Sequence, residues 1–296
     1  RRSSDLWDDD IAQIYEDYNV YLIYKDLQRA DFNRSWTGIS YGSGYEGQGC
    51  VNDEMTNYYV EFMKKHIFAY LNPPITSKVL PMYWYLGYNV YSKSVLEVGG
   101  VILASWIVPI HENYDGLDYW CTCMFGEDNP SDPYLIPTDR ALLDRRRKMI
   151  LAPVLEKAVK AGNIIIPEEF EVGFDHVTNL IAGLGMEDDP NYYLTRGYPG
   201  SVNTYVFNSI SEPANNSYPP TNEETFIGYM HLSMYYNQAR LAEVYPADKY
   251  PFLTEKFAFV QKYLKDKYQI DLEAIANGPE DWDLPLPPIP ETPDEE

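Results

Sequence analysis

Four consecutive basic residues lie inside a predicted amphipathic helix, which limits the ways in which this helix can pack. Residues 139–161 predict a helix, because Thr138 or Asp139 can cap its start and Gly162 follows its last lysines. Its apolar residues recur at helical spacing and form one stripe: Leu143, Ile150, Val154 and Ala158. Residues 145–148 read Arg-Arg-Arg-Lys in the middle of that helix. Three consecutive arginines would repel a divalent cation.

The same helix lacks the side chains that a zinc protease places there. Such a helix carries two histidines four residues apart, so that both imidazoles reach one ion, with a glutamate beside the first as general base. Here Arg145 and Met149 stand at that spacing, and Arg146 follows the first of them. The sequence therefore predicts no zinc and no other cofactor at this helix.

Charge and hydropathy narrow the class of partner. The 296 residues carry a formal net charge of −22, which disfavours binding to nucleic acid or directly to an anionic membrane. No apolar run reaches the roughly 18 residues that a membrane-spanning helix needs. The sequence starts at Arg1 without an initiator methionine, as removal of a signal peptide or lipid-anchoring segment would leave it.

The order of predicted elements favours an α+β fold. Strands are predicted early, over residues 18–24, 79–91 and 98–110. Further helices are predicted over residues 53–71, 167–182, 222–243 and 251–268. Strands first and helices later are typical of α+β rather than doubly wound proteins. We predict one domain over residues 1–276, and a proline-rich acidic tail over 277–296 with these apolar anchors: Trp282, Leu284, Leu286 and Ile289.

Three further groups of residues are candidates for chemistry or simply for the core. Residues 111–115, His-Glu-Asn-Tyr-Asp, mimic a metal motif but are predicted in a turn, where a spacing of four does not align two ligands. The other histidines, at 66, 176 and 231, are dispersed, although a fold could gather His176 and His231 with Asp175 and Glu171. The cysteines, at 50, 121 and 123, are predicted to be buried thiols.

An aromatic run early in the chain leaves two interpretations open. Its rings could stack on a sugar or a peptide, or half of them could fill the core of an alternating strand. The candidate ligand-binding rings are Tyr83, Trp84, Tyr85 and Tyr88.

The order of the predicted elements resembles that of a known family. The segments that carry the resemblance are 18–24, 62–70, 81–85, 144–151, 197–205, 222–228 and 259–272. Together they are similar to the zincin-like lipoproteins of Bacteroidetes that are encoded beside SusC/SusD-type nutrient importers, often labelled substrate import-associated zinc metallohydrolases. Segment 144–151 stands where that family carries His-His-Glu-Phe-x-His-Ile-Leu. By this resemblance Arg145 and Met149 replace the zinc histidines, Arg146 replaces the general base, and Gly228 replaces a possible third ligand.

The resemblance implies a fold, a location and partners. It implies a zincin-like domain that has lost catalysis and acts as an accessory surface lipoprotein of the outer membrane. Such a protein would bind a peptide or glycan, or dock on a SusC/SusD-like importer, and would meet the membrane only through a lipid anchor. The alternatives are an active zinc metallohydrolase with unusual ligands, and a glycan- or peptide-binding surface protein unrelated to zincins.

Overall fold

The computed structural model describes residues 7–34, 43–114, 116–126, 137, 139–282 and 284. The helices of this part are α1 (Asp8–Tyr18), α2 (Arg29–Phe32), α3 (Asp53–Phe62), α4 (Pro73–Thr76), α5 (Arg140–Lys160), α6 (Glu168–Glu171), α7 (Asn222–Tyr235), α8 (Gln238–Val244), α9 (Pro251–Tyr268) and α10 (Leu272–Asn277). The strands are β1 (Tyr21–Ile23), β2 (Gly44–Gly49), β3 (Tyr83–Val98), β4 (Val101–Pro109), β5 (Glu112–Asn113), β6 (Tyr119–Phe125), β7 (Ser201–Val202) and β8 (Ile210–Ser211). Because the long strands precede a mainly helical second half, the predicted α+β class is confirmed.

The chain divides into two compact units. Unit 1 comprises Arg1–Phe68, Leu80–Arg146 and Trp282–Glu296, and unit 2 comprises Ala69–Val79 and Arg147–Asp281. Compact units of this kind can lie within one folding domain, so the single domain over residues 1–276 stays a prediction.

Unit 1 is built around a mixed sheet with β3 at its centre. The first half of β3 pairs in parallel with β1 and with β6. Its middle, residues 87–93, pairs antiparallel with β2, and its second half, residues 91–98, pairs antiparallel with β4. This long strand follows from its sequence, because residues 83–91 are mostly aromatic and β-branched. The short strand β5 pairs antiparallel with β6 and closes the order β1-β3-β6-β5.

The core of unit 1 lies on both faces of β3. Successive side chains of a strand point to opposite faces, so Trp84 and Tyr85 are buried on different sides. Tyr85 belongs to a buried cluster on one face with Phe32, Val90, Tyr119, Cys121 and Cys123. Tyr59 of α3 fixes its helix to the sheet, because its hydroxyl donates to the Gly87 carbonyl (2.6 Å) and accepts from the Met124 amide (2.6 Å).

The hairpin of β3 and β4 extends beyond the other strands of the sheet. Gly99 and Gly100 form its turn with φ of 61° and 82°, the left-handed values that a tight two-residue hairpin requires. The prediction of a strand over residues 98–110 is therefore confirmed in type, with the turn at its start. Every residue of 101–108 is exposed, including Ile102, Trp106 and Ile107.

Unit 2 is helical and centred on α7. This helix packs against α9, α10 and β7, and nearly all of its residues from Thr225 to Met234 are buried. The predicted helix over 251–268 is confirmed by α9, whose buried face includes Leu253, Phe257, Val260 and Leu264. The predicted helix over 139–161 is confirmed by α5, which runs through Pro153 and buries all four residues of the predicted stripe.

Two helix predictions fail at polar residues that bond to the backbone. Over residues 167–182 only Glu168–Glu171 is helical. The Asp175 carboxylate there accepts the amides of Val177 and Thr178, which holds a turn instead of a helix. The predicted helix over 222–243 is two helices, because Asn237 caps the start of α8 by accepting the Arg240 amide.

Two smaller predictions shift in length. The predicted strand over 18–24 is only β1, because α1 runs to Tyr18 and ends at Asn19 with φ of 57°. The predicted helix over 53–71 is α3 followed by a π-helical turn (Met63–Ile67) and a 3-10 turn (Phe68–Tyr70).

Two of the four predicted tail anchors lie in the described part of the chain. Trp282 contacts His66, with ring centroids 5.6 Å apart, and the Arg140 guanidinium lies 4.6 Å from its ring. Leu284 is buried. Leu286 and Ile289 lie outside the described residues. Within those residues, no helix has the length and apolarity needed to cross a membrane.

Candidate functional site

Arg146, which the resemblance aligns with the general base of the family, is buried within unit 1. Its side chain is 0% exposed, and its guanidinium donates to Glu112 Oε1 (2.9 Å) and to the Cys123 carbonyl (2.8 Å). It also donates to the carbonyl of His111 at 3.3 Å. Helix α5 thus places a fixed cation against β5 and β6, where the His-Glu-Asn-Tyr segment lies.

Glu112 is the acid of this buried pair. Burial raises the pKa of Glu112 to about 7, against the lowering effects of the Arg146 charge and of the Thr122 hydroxyl that donates to it at 2.7 Å. Burial also raises the pKa of Tyr114 well above its ordinary value, so its phenol stays neutral. The segment predicted as a turn therefore contains a two-residue strand, Glu112–Asn113, and its buried carboxyl group binds an arginine. Asp115, the last residue of the mimicked motif, lies outside the described residues.

The next two basic residues of α5 belong to unit 2 and bind the end of α10. Arg147 Nη1 donates to the Ile275 carbonyl at 2.6 Å, and Lys148 Nζ donates to the Ala276 carbonyl at 3.3 Å. Cations stabilise a helix C-terminus because the last carbonyls lack partners within the helix. The Arg147 guanidinium also lies 4.4 Å from the ring of Tyr70. Arg145 is half-buried.

The residues at the positions that the resemblance assigns to a metal site do not fit zinc. Arg145 and Arg146 present only N–H donors, Met149 presents a buried thioether, and Gly228 presents no side chain. Across the described ranges, no group of three or more His, Cys, Asp or Glu side chains is placed to hold a metal ion. Gly228 lies on α7, where an added Cβ would sit 3.7 Å from Pro199.

Unit 2 contains a cavity of about 710 Å³ beside Gly228. Helix α5 contributes Glu156 and Lys160 to its wall, and α7 contributes residues from Glu223 to His231. Leu180 and the segments 198–204 and 211–220 supply the rest, and Tyr218 at the rim is 81% exposed. A cavity of this size falls in the range of about 300–1,000 Å³ typical of small-molecule sites.

His231, Glu156 and Lys160 form a polar cluster in the cavity wall. Glu156 Oε1 accepts from Lys160 Nζ at 2.6 Å, one helical turn away, and this bond raises the pKa of Lys160. Glu156 Oε2 lies 3.6 Å from His231 Nε2, beyond hydrogen-bonding distance. Burial lowers the pKa of His231 to about 4, against the opposing Glu156 charge, so its imidazole is neutral at pH 7.

The loops of the cavity are fixed by hydrogen bonds from buried tyrosines. Tyr229 of α7 donates to the Gly197 carbonyl at 2.6 Å, and Tyr198 donates to the Asp175 carbonyl at 2.8 Å. At the rim, His176 Nδ1 lies 2.8 Å from the Pro220 carbonyl. The cavity walls are therefore held in place by their own polar contacts.

Most of the other predicted candidate residues are buried side chains of unit 1. Trp84, Tyr85 and Tyr88 are buried, and Tyr83 is half-buried. Trp84 packs against Phe68 and Trp120, and Tyr85 packs against Phe32 and Tyr119. Cys121 and Cys123 are buried thiols as predicted, and Cys50 is half-buried. His66 is also buried.

Two cavity residues were not predicted as a pair. The sequence leaves open a cluster of His231 with His176. In the structure His231 faces Glu156, and His176 contacts Tyr198 and Pro220 instead. One sequence feature points to this polar cluster: Glu156 and Lys160 stand four residues apart on α5, so their side chains can pair.

Comparisons with known proteins give one distant likeness. No protein-family model matches the chain, and no curated protein matches it. Among solved structures, it is similar to one from Bacteroides caccae described as a "putative zinc-binding metallo-peptidase". The two share 13% identity over 93% of this chain and 92% of that chain, with a TM-score of 0.41. At this level the likeness decides neither the fold nor the activity of this chain.

Proposed function

We propose that this chain is a zincin-like protein without peptidase activity that binds a ligand in the cavity of unit 2. The observation that carries the proposal is the buried pair of Arg146 and Glu112. A general base must accept a proton from water, but a guanidinium only donates, and this one is held by an acid and two carbonyls. The position that the resemblance assigns to catalysis therefore stabilises the fold.

The cavity supports the binding half of the proposal. Its wall combines apolar side chains such as Leu180 and Ile227 with a few polar groups, which is the usual composition of a ligand site. Fixed loops lower the entropic cost of binding, since the cavity does not have to be ordered by its ligand.

We further propose that the protein acts as an accessory surface lipoprotein of an outer-membrane SusC/SusD-like importer. The support is the family resemblance of the segments named above, together with a net charge of −22 that favours a soluble body on a lipid tether over direct adhesion to anionic lipids. A precursor gene without a signal peptide and lipidation site, or failure to co-purify with importer proteins from native membranes, would refute this location and partner.

Elemental analysis tests the loss of catalysis. Protein purified without chelator is expected to carry far less than one zinc per chain and to leave casein uncleaved, with or without added zinc. Stoichiometric zinc, lost together with peptidase activity on chelation, would overturn the proposal. The Arg146→Glu variant provides a second measurement: it is expected to lose stability without gaining activity, because no histidines accompany the new acid.

A further inference from the structure

We propose that the cavity of unit 2 takes a ligand with an ammonium group, and that Glu156 and His231 hold this group. The inference rests on the proposed binding function and names the class of ligand. An amino terminus and a lysine side chain both supply this chemistry.

The charge of the cavity favours a cation. Its wall contains four glutamates, at 156, 212, 223 and 224, against the single lysine at 160. Low-dielectric walls concentrate such a field and raise the local concentration of ligands of the opposite sign.

The environment of His231 supports a ligand site independently of the charge of the cavity. It is only 8% exposed, lines the cavity, and its Nε2 has no hydrogen-bond partner among the residues that the structure describes. A buried polar atom without a partner costs free energy, which a ligand donor would recover. The neutral imidazole can accept at Nε2 when its proton is on Nδ1.

The two acceptors are close enough to share one ammonium group. Glu156 Oε2 and His231 Nε2 are 3.6 Å apart, so one nitrogen with three N–H donors can reach both. One of these bonds would be charge-assisted on both sides, which makes it the stronger of the two.

Two other ligand classes fit these residues poorly. An anion would face four glutamates, and Lys160, the lysine of the lining, is already bonded to Glu156. The amides at the start of α7 are closed as well, by the reciprocal capping box of Thr221 and Glu224. A metal ion would need more ligands than this pair, and none of the described side chains forms such a group.

Calorimetric titration with matched probes tests the inference. The probes are tetra-alanine amide with a free amino terminus, its N-acetylated form, N-acetyl-lysine amide, and the neutral glycan maltoheptaose. We expect at least one ammonium probe to bind roughly tenfold or more tightly than acetylated tetra-alanine, because a charge-assisted bond is lost on acetylation. Which of the two ammonium probes binds distinguishes an amino terminus from a lysine side chain.

Variants locate the binding. Glu156→Gln and His231→Leu are each expected to remove the preference for the ammonium probes. Glu243→Gln on α8 is the matched control, because it removes the same charge from an exposed side chain outside the cavity wall. Circular dichroism of each variant checks that it is folded. If His231→Leu does not fold, Glu156→Gln alone tests the inference.

The outcomes separate this inference from the proposed function. Equal binding of acetylated and free tetra-alanine, or binding of maltoheptaose alone, overturns the ammonium inference and leaves the binding function standing. An ammonium preference that survives in Glu156→Gln also overturns it. Absence of binding by every probe overturns the inference and counts against the binding function as well.

Discussion

At the scale of single residues, the basic cluster of α5 is explained by three separate partners. Arg146 pairs with Glu112, and Arg147 and Lys148 bind the last carbonyls of α10. Each buried cation is thus matched by an acid or by unsatisfied carbonyl oxygens, which is the condition for burying a charge. The cluster has a structural role that a comparison with metal motifs does not reveal.

The Arg146–Glu112 pair makes a strong stability prediction. Arg146→Met is expected to lower the free energy of unfolding by about 3–5 kcal/mol, because it leaves Glu112 buried without its cation. The measurement is urea unfolding followed by tryptophan fluorescence. Arg240→Met is the matched control, since Arg240 and Glu243 form an exposed pair and no measurable change is expected. A double variant, Arg146→Met with Glu112→Gln, should recover part of the loss; equal loss in single and double variants would contradict the pairing.

His231 predicts a pH dependence of stability. Its pKa is about 4 in the folded protein, below the value of about 6.5 expected when unfolded, so the unfolded chain binds more protons between these values. The contribution of His231 is therefore fully present above about pH 6.5 and is lost as the pH falls towards 4, by about 3 kcal/mol in total. His231→Gln should flatten this part of the profile of unfolding free energy against pH. An unchanged slope in the variant would rule out His231 as its source.

At the scale of elements, the β3–β4 hairpin is the most exposed apolar feature of unit 1. Residues 98–110 contain no charged side chain, although the whole chain has a net charge of −22. Within the described residues, β4 pairs only with β3, so its outer edge presents free backbone groups. A long uncharged edge strand is a site for pairing with another chain.

A charge on this edge is expected to suppress self-association without loss of stability. Ile107 is 59% exposed, so Ile107→Lys should change the free energy of unfolding by no more than about 0.5 kcal/mol. Light scattering at increasing protein concentration should fall in the variant relative to the unmodified protein. Leu184→Lys, at an apolar residue that is 97% exposed in unit 2, is the control for added charge alone. The same reduction in both variants would show that the hairpin has no special part in association.

For the molecule as a whole, Trp282 and Leu284 bring the last described residues of the chain into unit 1. Trp282 contacts His66 and Arg140, and Leu284 is buried. Proline-rich sequences gain little from local structure, so these contacts must offset the cost of ordering Trp282 and Leu284.

Truncation after Asn277 is expected to lower the midpoint of thermal unfolding, because it removes both described anchors and leaves α10 whole. Loss of the Trp282 contacts alone, in Trp282→Ala, should cost about 1–3 kcal/mol. Truncation after Leu284 keeps these two anchors and measures what Leu286 and Ile289 add. If truncation after Asn277 changes neither stability nor co-purification with importer proteins, the tail has no role in the fold or in docking.

Sequence reasoning predicts the elements whose signals are local. The apolar stripe of α5, the bounds of α9 and the early strands follow from periodicity and capping within a few residues. It failed where a polar side chain captured nearby amides, as Asp175 does after α6 and Asn237 does before α8.

The roles of the buried polar residues depend on contacts between elements that are distant in the sequence. Arg146 and Glu112 are 34 residues apart, and Glu156 and His231 are 75 residues apart along the sequence. No periodic pattern encodes such pairs, because each depends on how separate elements pack and on the desolvation that packing brings. The same packing placed Trp84 and Tyr85 in the core and left His231 facing the cavity, where the proposed ligand would bind.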